Sequence, residues 1–125
     1  MMDNIMVCVT KQKTCDRLIE YGEKLVDSEG SLLIIHVSKT EEKFLGNSKE
    51  SEALKYLYEK AMEKSANLIV LKSDNIQDTL AGQAIENGIK KIIVGASNKE
   101  ETEGEFIKKL RSKIDEDIEL IVVPS

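Results

Sequence analysis

Residues 67–96, NLIVLKSDNIQDTLAGQAIENGIKKIIVGA, decide the fold because they carry the pattern of one complete strand–helix–strand unit. The apolar run LIVL is followed by Asp74, a residue type that caps helix N-termini, and by an amphipathic segment that stops at Gly88. A second apolar run, IIV, then ends at Gly95. Two strands joined through a helix in this way are parallel, and the crossover is right-handed in nearly all known cases.

The same alternation recurs along the chain and predicts five strands and four helices. The predicted strands are Asn4–Thr10, Ser31–Val37, Leu68–Lys72, Lys91–Gly95 and Glu119–Val123. The predicted helices are Cys15–Ser28, Ser51–Ser65, Asn75–Asn87 and Glu103–Ile114. Helical spacing places Tyr21, Tyr58, Met62 and Ile85 on inner faces. We therefore expect an α/β fold in one domain, residues 1–125, with a doubly wound, mostly parallel sheet of strand order 3-2-1-4-5.

Composition narrows the class of protein. The 125 residues include 18 Lys+Arg and 23 Asp+Glu, a net charge of −5, and aromatic residues make up 4% with no Trp. A nucleic-acid binder would show a basic excess or aromatic stacking platforms. The sequence shows neither a signal-peptide pattern nor an apolar run of membrane-spanning length. We expect a cytoplasmic protein with no nucleic-acid or membrane partner.

A doubly wound sheet places its ligand crevice where the strand order reverses, beyond the carboxyl ends of strands 1 and 4. The candidate ligand-binding residues in the surrounding loops and strand ends are Thr10, Lys11, Lys13, Val37, Gly95, Ala96, Ser97 and Asn98. Lysines also follow strands 2, 3 and 4, and helix N-termini point to the same edge, which favours an anion. The alternative, that these lysines are solvated loop charges, stays open.

Catalytic and metal-binding patterns are missing from the sequence. His36 is the only histidine, so neither a Ser-His-Asp triad nor a two-histidine metal site can be built, and we interpret it as packed or capped. The spacing of Cys8 and Cys15 matches no redox or zinc motif. Because Cys8 lies within an apolar strand, we interpret it as a small buried hydrophobic residue. The Gly-rich phosphate-binding motifs G-x-x-x-x-G-K-[ST] and G-x-G-x-x-G do not occur in the sequence. We predict no catalytic residues, no metal and no enzymatic activity.

A family resemblance emerges from two blocks. IMVCVTKQKTCDRLIEYGEKLVDSEGSLLIIHV, residues 5–37, and DNIQDTLAGQAIENGIKKIIVGAS, residues 74–97, resemble the universal stress proteins, in particular the domain of this type in the potassium sensor kinase KdpD. The resemblance covers most of the chain and is weakest over residues 38–65 and after Asn98. It rests on the order of blocks, since no single motif is diagnostic.

The resemblance implies ATP, AMP or cyclic di-AMP as ligands, but the family's motifs are altered here. The Asp that contacts the nucleoside after strand 1 is replaced by Thr10, and in the motif G-x2-G-x9-G-[ST] only Gly95 remains, with Asn98, Lys108 and Lys109 at the other positions. The S-x-S and F-T-A-x-Y motifs of cyclic di-AMP binders correspond to Thr10-Lys11-Gln12 and Leu33–Val37. We therefore expect no tight ATP binding of the family's kind and no certain cofactor.

Two hypotheses follow. The first is a non-enzymatic signalling or sensory module of universal-stress-protein type that binds a nucleotide or other small anion and works with a signalling partner. The alternative is a protein-interaction module that dimerises and takes no small ligand. Universal stress proteins commonly pair their fifth strand across a two-fold axis, and an apolar edge strand favours such pairing. The expected homodimer interface is formed by Leu120, Ile121, Val122 and Val123.

Overall fold

The computed structural model describes residues 4–9, 12–26, 30–38, 50–95 and 100–123, and strands and helices alternate along them. The strands are β1 (Asn4–Cys8), β2 (Leu32–Ser38), β3 (Asn67–Lys72), β4 (Ile89–Gly95) and β5 (Glu119–Val123). The helices are α1 (Gln12–Leu25), α2 (Glu50–Glu63), α3 (Ile76–Glu86) and α4 (Glu100–Lys113).

The five strands form one parallel sheet in the order β3-β2-β1-β4-β5. β1 is central, so that Met6 pairs with Leu33 of β2 on one side and with Ile92 of β4 on the other. The chain winds outward from β1 to β3 and then returns to β4 on the opposite side of β1. The predicted fold class is therefore confirmed, and the reversal of strand order lies between β1 and β4.

The sheet has a separate apolar core on each face, because successive residues of a strand point to opposite sides. α1 and α2 cover one face, where Ile5, Ile34 and Ile93 are completely buried. α3 and α4 cover the other face, where Met6 and Ile92 are completely buried. Burying one such side chain contributes about 1.5–3 kcal/mol relative to leaving it in water. This double coverage explains the uninterrupted apolar runs of the strands.

A polar clamp joins three segments at the amino edge of the sheet. Asn4 donates from Nδ2 to the Asn87 carbonyl at 3.2 Å, and its Oδ1 accepts from the N–H and hydroxyl of Ser31 at 3.2 and 3.0 Å. Gly88 adopts a φ of +61° directly after α3, a left-handed conformation that favours glycine. The predicted stop at Gly88 is thus confirmed, and the turn brings the chain into β4 beside Asn4.

Several local predictions were wrong in detail. β1 ends at Cys8 instead of Thr10, which lies outside the described residues, and α1 spans Gln12–Leu25 instead of Cys15–Ser28. α3 is capped at Asn75, whose side chain makes no capping hydrogen bond, and not at Asp74. Instead, the Ser73 hydroxyl accepts from the Asn75 N–H at 3.0 Å and from the Thr79 hydroxyl at 2.7 Å, which orders the start of this helix.

Four side chains expected on inner faces are exposed. Tyr21 is 40%, Tyr58 59%, Met62 63% and Ile85 59% accessible. α2 reaches its core through Leu57 and Ala61, and it packs on β3, an edge of the sheet. The outer part of its apolar stripe therefore has no strand beneath it. Among the described residues, no helix combines the length and the apolar character needed to cross a membrane.

Candidate functional site

The strand order predicts a crevice beyond the carboxyl ends of β1 and β4, next to the starts of α1 and α4. Five of the eight candidate ligand residues lie outside the described residues, namely Thr10, Lys11, Ala96, Ser97 and Asn98. Lys13 belongs to the first turn of α1, but its side chain lies outside the description. Val37 and Gly95 remain, and the structure places them at the ends of β2 and β4.

Val37 is a core residue. Its side chain is 6% exposed and belongs to the apolar cluster beneath α3 and α4, with Leu33 and Ile35 of the same strand. A ligand at the carboxyl edge could therefore contact Val37 through its backbone N–H or carbonyl, and the side chain serves folding.

Gly95 has a packing role of its own. A Cβ built at this position would lie 3.2 Å from Leu18 Cδ1 and 3.4 Å from Leu18 Cδ2. Leu18 is 1% exposed and anchors α1 to the sheet, so it has little freedom to retreat. The absence of a side chain at Gly95 thus allows α1 to lie close to the end of β4, whether or not a phosphate binds there.

The altered glycine motif does not map onto the crevice by counting residues. Four residues separate Gly95 from Glu100, where α4 begins. Lys108 and Lys109 lie in the third turn of α4 and are exposed. At a rise of about 1.5 Å per residue, they stand roughly 12 Å along the helix from its start. They therefore lie away from the end of β4, although counting residues aligned them with the last two positions of the family's glycine motif.

His36 forms the best-defined polar contact at the carboxyl edge. It is 3% exposed, and its Nδ1 lies 2.7 Å from the carbonyl oxygen of Val9, directly after β1. The interpretation of His36 as a packed or capped histidine is therefore confirmed. Since a carbonyl oxygen only accepts, Nδ1 carries the proton and donates.

A polar cluster between α1 and α2 was not anticipated from the sequence. The Tyr56 hydroxyl donates to Asp16 Oδ2, and Lys60 Nζ lies 3.7 Å from Asp16 Oδ1 and 5.8 Å from the centre of the Tyr56 ring. Oδ1 is buried and, within the described part of the chain, accepts no hydrogen bond. Tyr56 and Lys60 are one helical turn apart, and that spacing was the only signal available, since no local pattern pairs them with α1.

The described residues bring together no nucleophile and base, and no group of three His, Cys, Asp or Glu side chains in them could hold a metal. Burial raises the pKa of the Cys8 thiol to about 12, so this thiol is protonated and unreactive at neutral pH. Lys72, at the end of β3, is exposed.

β5 forms one edge of the sheet, with β4 as its only neighbour among the described strands. Leu120 and Val123 are 9% and 7% exposed and pack within their own chain. Ile121 and Val122 are half-buried, on opposite faces. Of the four residues expected at a dimer interface, these two therefore present the accessible side chains.

No protein-family model and no curated protein matches this sequence. The structure is similar to that of a universal stress protein from Archaeoglobus fulgidus DSM 4304, with a TM-score of 0.69 and 17% identity over 98% of this chain and 44% of that one. The chain thus spans less than half of the Archaeoglobus protein.

Two further similar structures were solved with nucleotides. A universal stress protein in complex with cAMP has a TM-score of 0.68 and 12% identity over 97% of this chain and 95% of that one. A universal stress protein family protein from Arabidopsis thaliana with AMP bound has a TM-score of 0.60 and 14% identity over 98% and 91%. At these identities the likeness shows the fold, which is that of the universal stress proteins.

Proposed function

We propose that this chain, which has the universal-stress-protein fold, is a non-enzymatic signalling or sensory module that binds an adenine nucleotide in the crevice between β1 and β4. It acts as one domain in the cytoplasm, and its sequence blocks resemble the domain of this type in the sensor kinase KdpD. The observation that carries the proposal is the reversal of strand order at β1 and β4, in a fold whose other members include proteins solved with cAMP and AMP.

The local geometry favours a nucleotide with one phosphate over ATP. The connection from β4 to α4 has four residues, so a long glycine-rich phosphate loop does not fit there. The N-terminus of α4 still offers backbone N–H groups and the positive end of the helix dipole. We therefore propose AMP or cAMP as the preferred ligand class, with cyclic di-AMP next and ATP weakest.

A non-enzymatic role is supported by the state of the two best-placed reactive groups. His36 is buried and donates to a main-chain carbonyl, and Cys8 is buried and neutral. Both groups are enclosed in the core, and burial keeps the Cys8 thiol protonated, which argues against Cys8 as a nucleophile.

The direct test is binding of AMP, cAMP, cyclic di-AMP and ATP to the purified chain, by calorimetry and by thermal shift. A ligand that binds the folded state raises the unfolding midpoint in proportion to RT ln(1 + [L]/Kd). Inorganic phosphate serves as the control for simple anion binding. Absence of binding and of a shift with all four nucleotides at millimolar concentration would contradict the proposal.

The position of the site is tested by charge reversal. Lys11→Glu with Lys13→Glu should abolish nucleotide binding, because it reverses two positive charges expected at the anion site, and an unchanged midpoint of the free protein would show that the variant folds normally. The matched control is Lys24→Glu with Lys90→Glu, which changes the net charge equally at exposed positions near the amino edge of the sheet. If both pairs weaken binding equally, the effect is one of net charge and the site lies elsewhere.

The second candidate function is dimerisation through β5 without a small ligand. It is favoured by an apolar edge strand whose Ile121 and Val122 remain half-exposed. Pairing with a second copy across a two-fold axis would satisfy the outer backbone groups of the strand, and every substitution would act twice.

Sedimentation equilibrium distinguishes this function. Ile121→Lys should shift a dimer towards monomer, whereas Ile85→Lys, at an exposed apolar position on α3, should not. Val123→Lys is unsuitable because it would place a charge in the core. A monomer mass for the unmodified chain across micromolar concentrations would exclude the interface.

A further inference from the structure

Asn87 and Gly88 form the one Asn-Gly pair in the sequence, and they make the turn between α3 and β4. Asparagine before glycine is the pair most prone to deamidation, because glycine has no Cβ to shield its main-chain nitrogen. In this reaction the Gly88 nitrogen bonds to Cγ of Asn87, and its proton passes to the side-chain nitrogen, which leaves as ammonia. Water then opens the succinimide ring to aspartate or isoaspartate. Both residues are exposed, so water reaches them.

The folded structure holds this pair in an unreactive geometry. Asn87 has a φ of −99° and a ψ of 9°. At that ψ, the Gly88 nitrogen nearly eclipses the main-chain nitrogen of Asn87, whereas closure of the succinimide ring requires it to eclipse Cβ. The Gly88 N–H also donates to the Ile85 carbonyl at 3.2 Å, which keeps its proton engaged. The turn must therefore open before the Gly88 nitrogen can reach Cγ.

The side chain and the carbonyl of Asn87 are held as well. Nδ2 donates to the Gln83 carbonyl at 2.7 Å and lies 3.3 Å from Gln83 Oε1. The Asn87 carbonyl accepts from Asn4 Nδ2 at 3.2 Å, which ties the turn to β1 through the polar clamp. These hydrogen bonds are exposed and lie at a helix end, where local opening costs less free energy than global unfolding.

We propose that Asn87 is a deamidation site controlled by local opening of the turn between α3 and β4, and that the Asn4 hydrogen bond keeps this turn closed. The modification weakens the same corner of the fold. Isoaspartate lengthens the main chain by one methylene and displaces the carbonyl that Asn4 holds. Both products lack the Nδ2 donor to Gln83, and both place a negative charge at the C-terminal end of α3, where the helix dipole disfavours it.

The test follows deamidation of the purified chain at mildly alkaline pH by peptide mapping, which separates the asparagine, aspartate and isoaspartate forms. The wild-type chain is measured in the native state and unfolded in urea. Asn4→Asp removes the donor to Asn87 but keeps an acceptor for Ser31. The control is Val70→Ala, which lowers global stability from β3, on the face opposite α3 and separated from β4 by two strands. Urea unfolding gives the unfolding equilibrium constant of each variant.

The unfolded chain should deamidate at Asn87 at least about tenfold faster than the native chain, because the native turn is closed most of the time. Asn4→Asp should raise the native rate by about fivefold, the factor that corresponds to the loss of one hydrogen bond. Val70→Ala should leave the native rate unchanged although its unfolding equilibrium constant rises.

Three results would overturn the proposal. Equal rates in the native and unfolded chains would show that the turn gives no protection. A native rate that rises in Val70→Ala by the same factor as its unfolding equilibrium constant would show that opening is global. An unchanged native rate in Asn4→Asp would show that this hydrogen bond does not hold the turn. If Asn4→Asp does not fold, the first two comparisons still decide whether the turn opens locally.

Discussion

Gly22 marks the closest approach of α1 to the sheet, and it offers the sharpest test of the packing. A Cβ there would lie 2.5 Å from Val7 Cγ2, 3.1 Å from Leu32 Cδ1 and 3.4 Å from Ile93 Cδ1. These atoms belong to β1, β2 and β4, whereas carbon atoms in contact normally stand about 3.5–4.0 Å apart. Gly22→Ala therefore requires α1 to lift away from three strands or Val7 to leave its position.

Overpacking of a well-packed core costs about 1–3 kcal/mol, and replacing a mid-helix glycine by alanine returns about 0.5–1 kcal/mol. Because the nearest atom is fully buried in the central strand, the upper half of the first range applies, and we expect a net loss of about 2 kcal/mol. At this chain length, that corresponds to a fall in Tm of roughly 8 °C. The assay is equilibrium urea unfolding followed by circular dichroism.

Gly82→Ala is the matched control. Gly82 lies on the exposed side of α3, and a Cβ there would meet nothing within 4 Å. This variant should gain about 0.5–1 kcal/mol, so the two alanine substitutions should have opposite signs. A double-mutant cycle with Val7→Ala should show a favourable coupling of about 1 kcal/mol, because that change removes the clashing methyl. A Gly22→Ala protein as stable as the unmodified one would refute the close approach of α1.

Three other predictions concern hydrogen bonds and titrating groups. Cys8, studied in a Cys15→Ser background, should resist iodoacetamide at about pH 8.5 in the native state and react on unfolding, and rapid native modification would contradict its burial. Burial raises the pKa of Cys8 in the folded state from its ordinary value of 9.0 to about 12, so its contribution to stability is complete below about pH 9 and declines as pH rises towards 12. Cys8→Ala should make the unfolding free energy less dependent on pH across that interval. Asn4→Ala should lower the unfolding free energy by about 1–2 kcal/mol, because it removes the clamp joining the amino end of β1 to β2 and to the turn before β4, and an unchanged urea midpoint would show the clamp to be unimportant. Glu23→Gln removes the carboxylate charge that accepts a 3.2 Å hydrogen bond from Lys64 and raises the pKa of Lys64, while an amide oxygen can still accept that bond. The small loss in Tm should be present at neutral pH and disappear as pH rises through that raised pKa, and also in about 1 M salt. A loss independent of both would indicate packing instead of charge.

The sequence alone determined the order of strands and helices and the order of the strands in the sheet. Apolar runs such as LIVL and IIV, separated by amphipathic segments, are local signals whose period does not depend on the rest of the chain. Once strands and helices alternate, handedness and the doubly wound order leave few topologies, and the reversal between β1 and β4 follows. The end of α3 near Gly88 could also be predicted from the sequence, because it depends on the left-handed conformation of a single glycine.

The tertiary structure decided which of these residues touch. Counting along the chain aligned Lys108 and Lys109 with the family's glycine motif, but α4 begins at Glu100 and places them in its third turn, away from the end of β4. Gly95 matched a ligand motif, yet its distance to Leu18 shows a packing requirement that no spacing rule contains. Tyr58 and Met62 of α2 were predicted to be buried, because periodicity identifies an apolar helix face but does not show whether a strand lies beneath it. Contacts between distant segments depend on the lateral position and tilt of each helix over the sheet, and those are set by the shapes of side chains far apart in sequence.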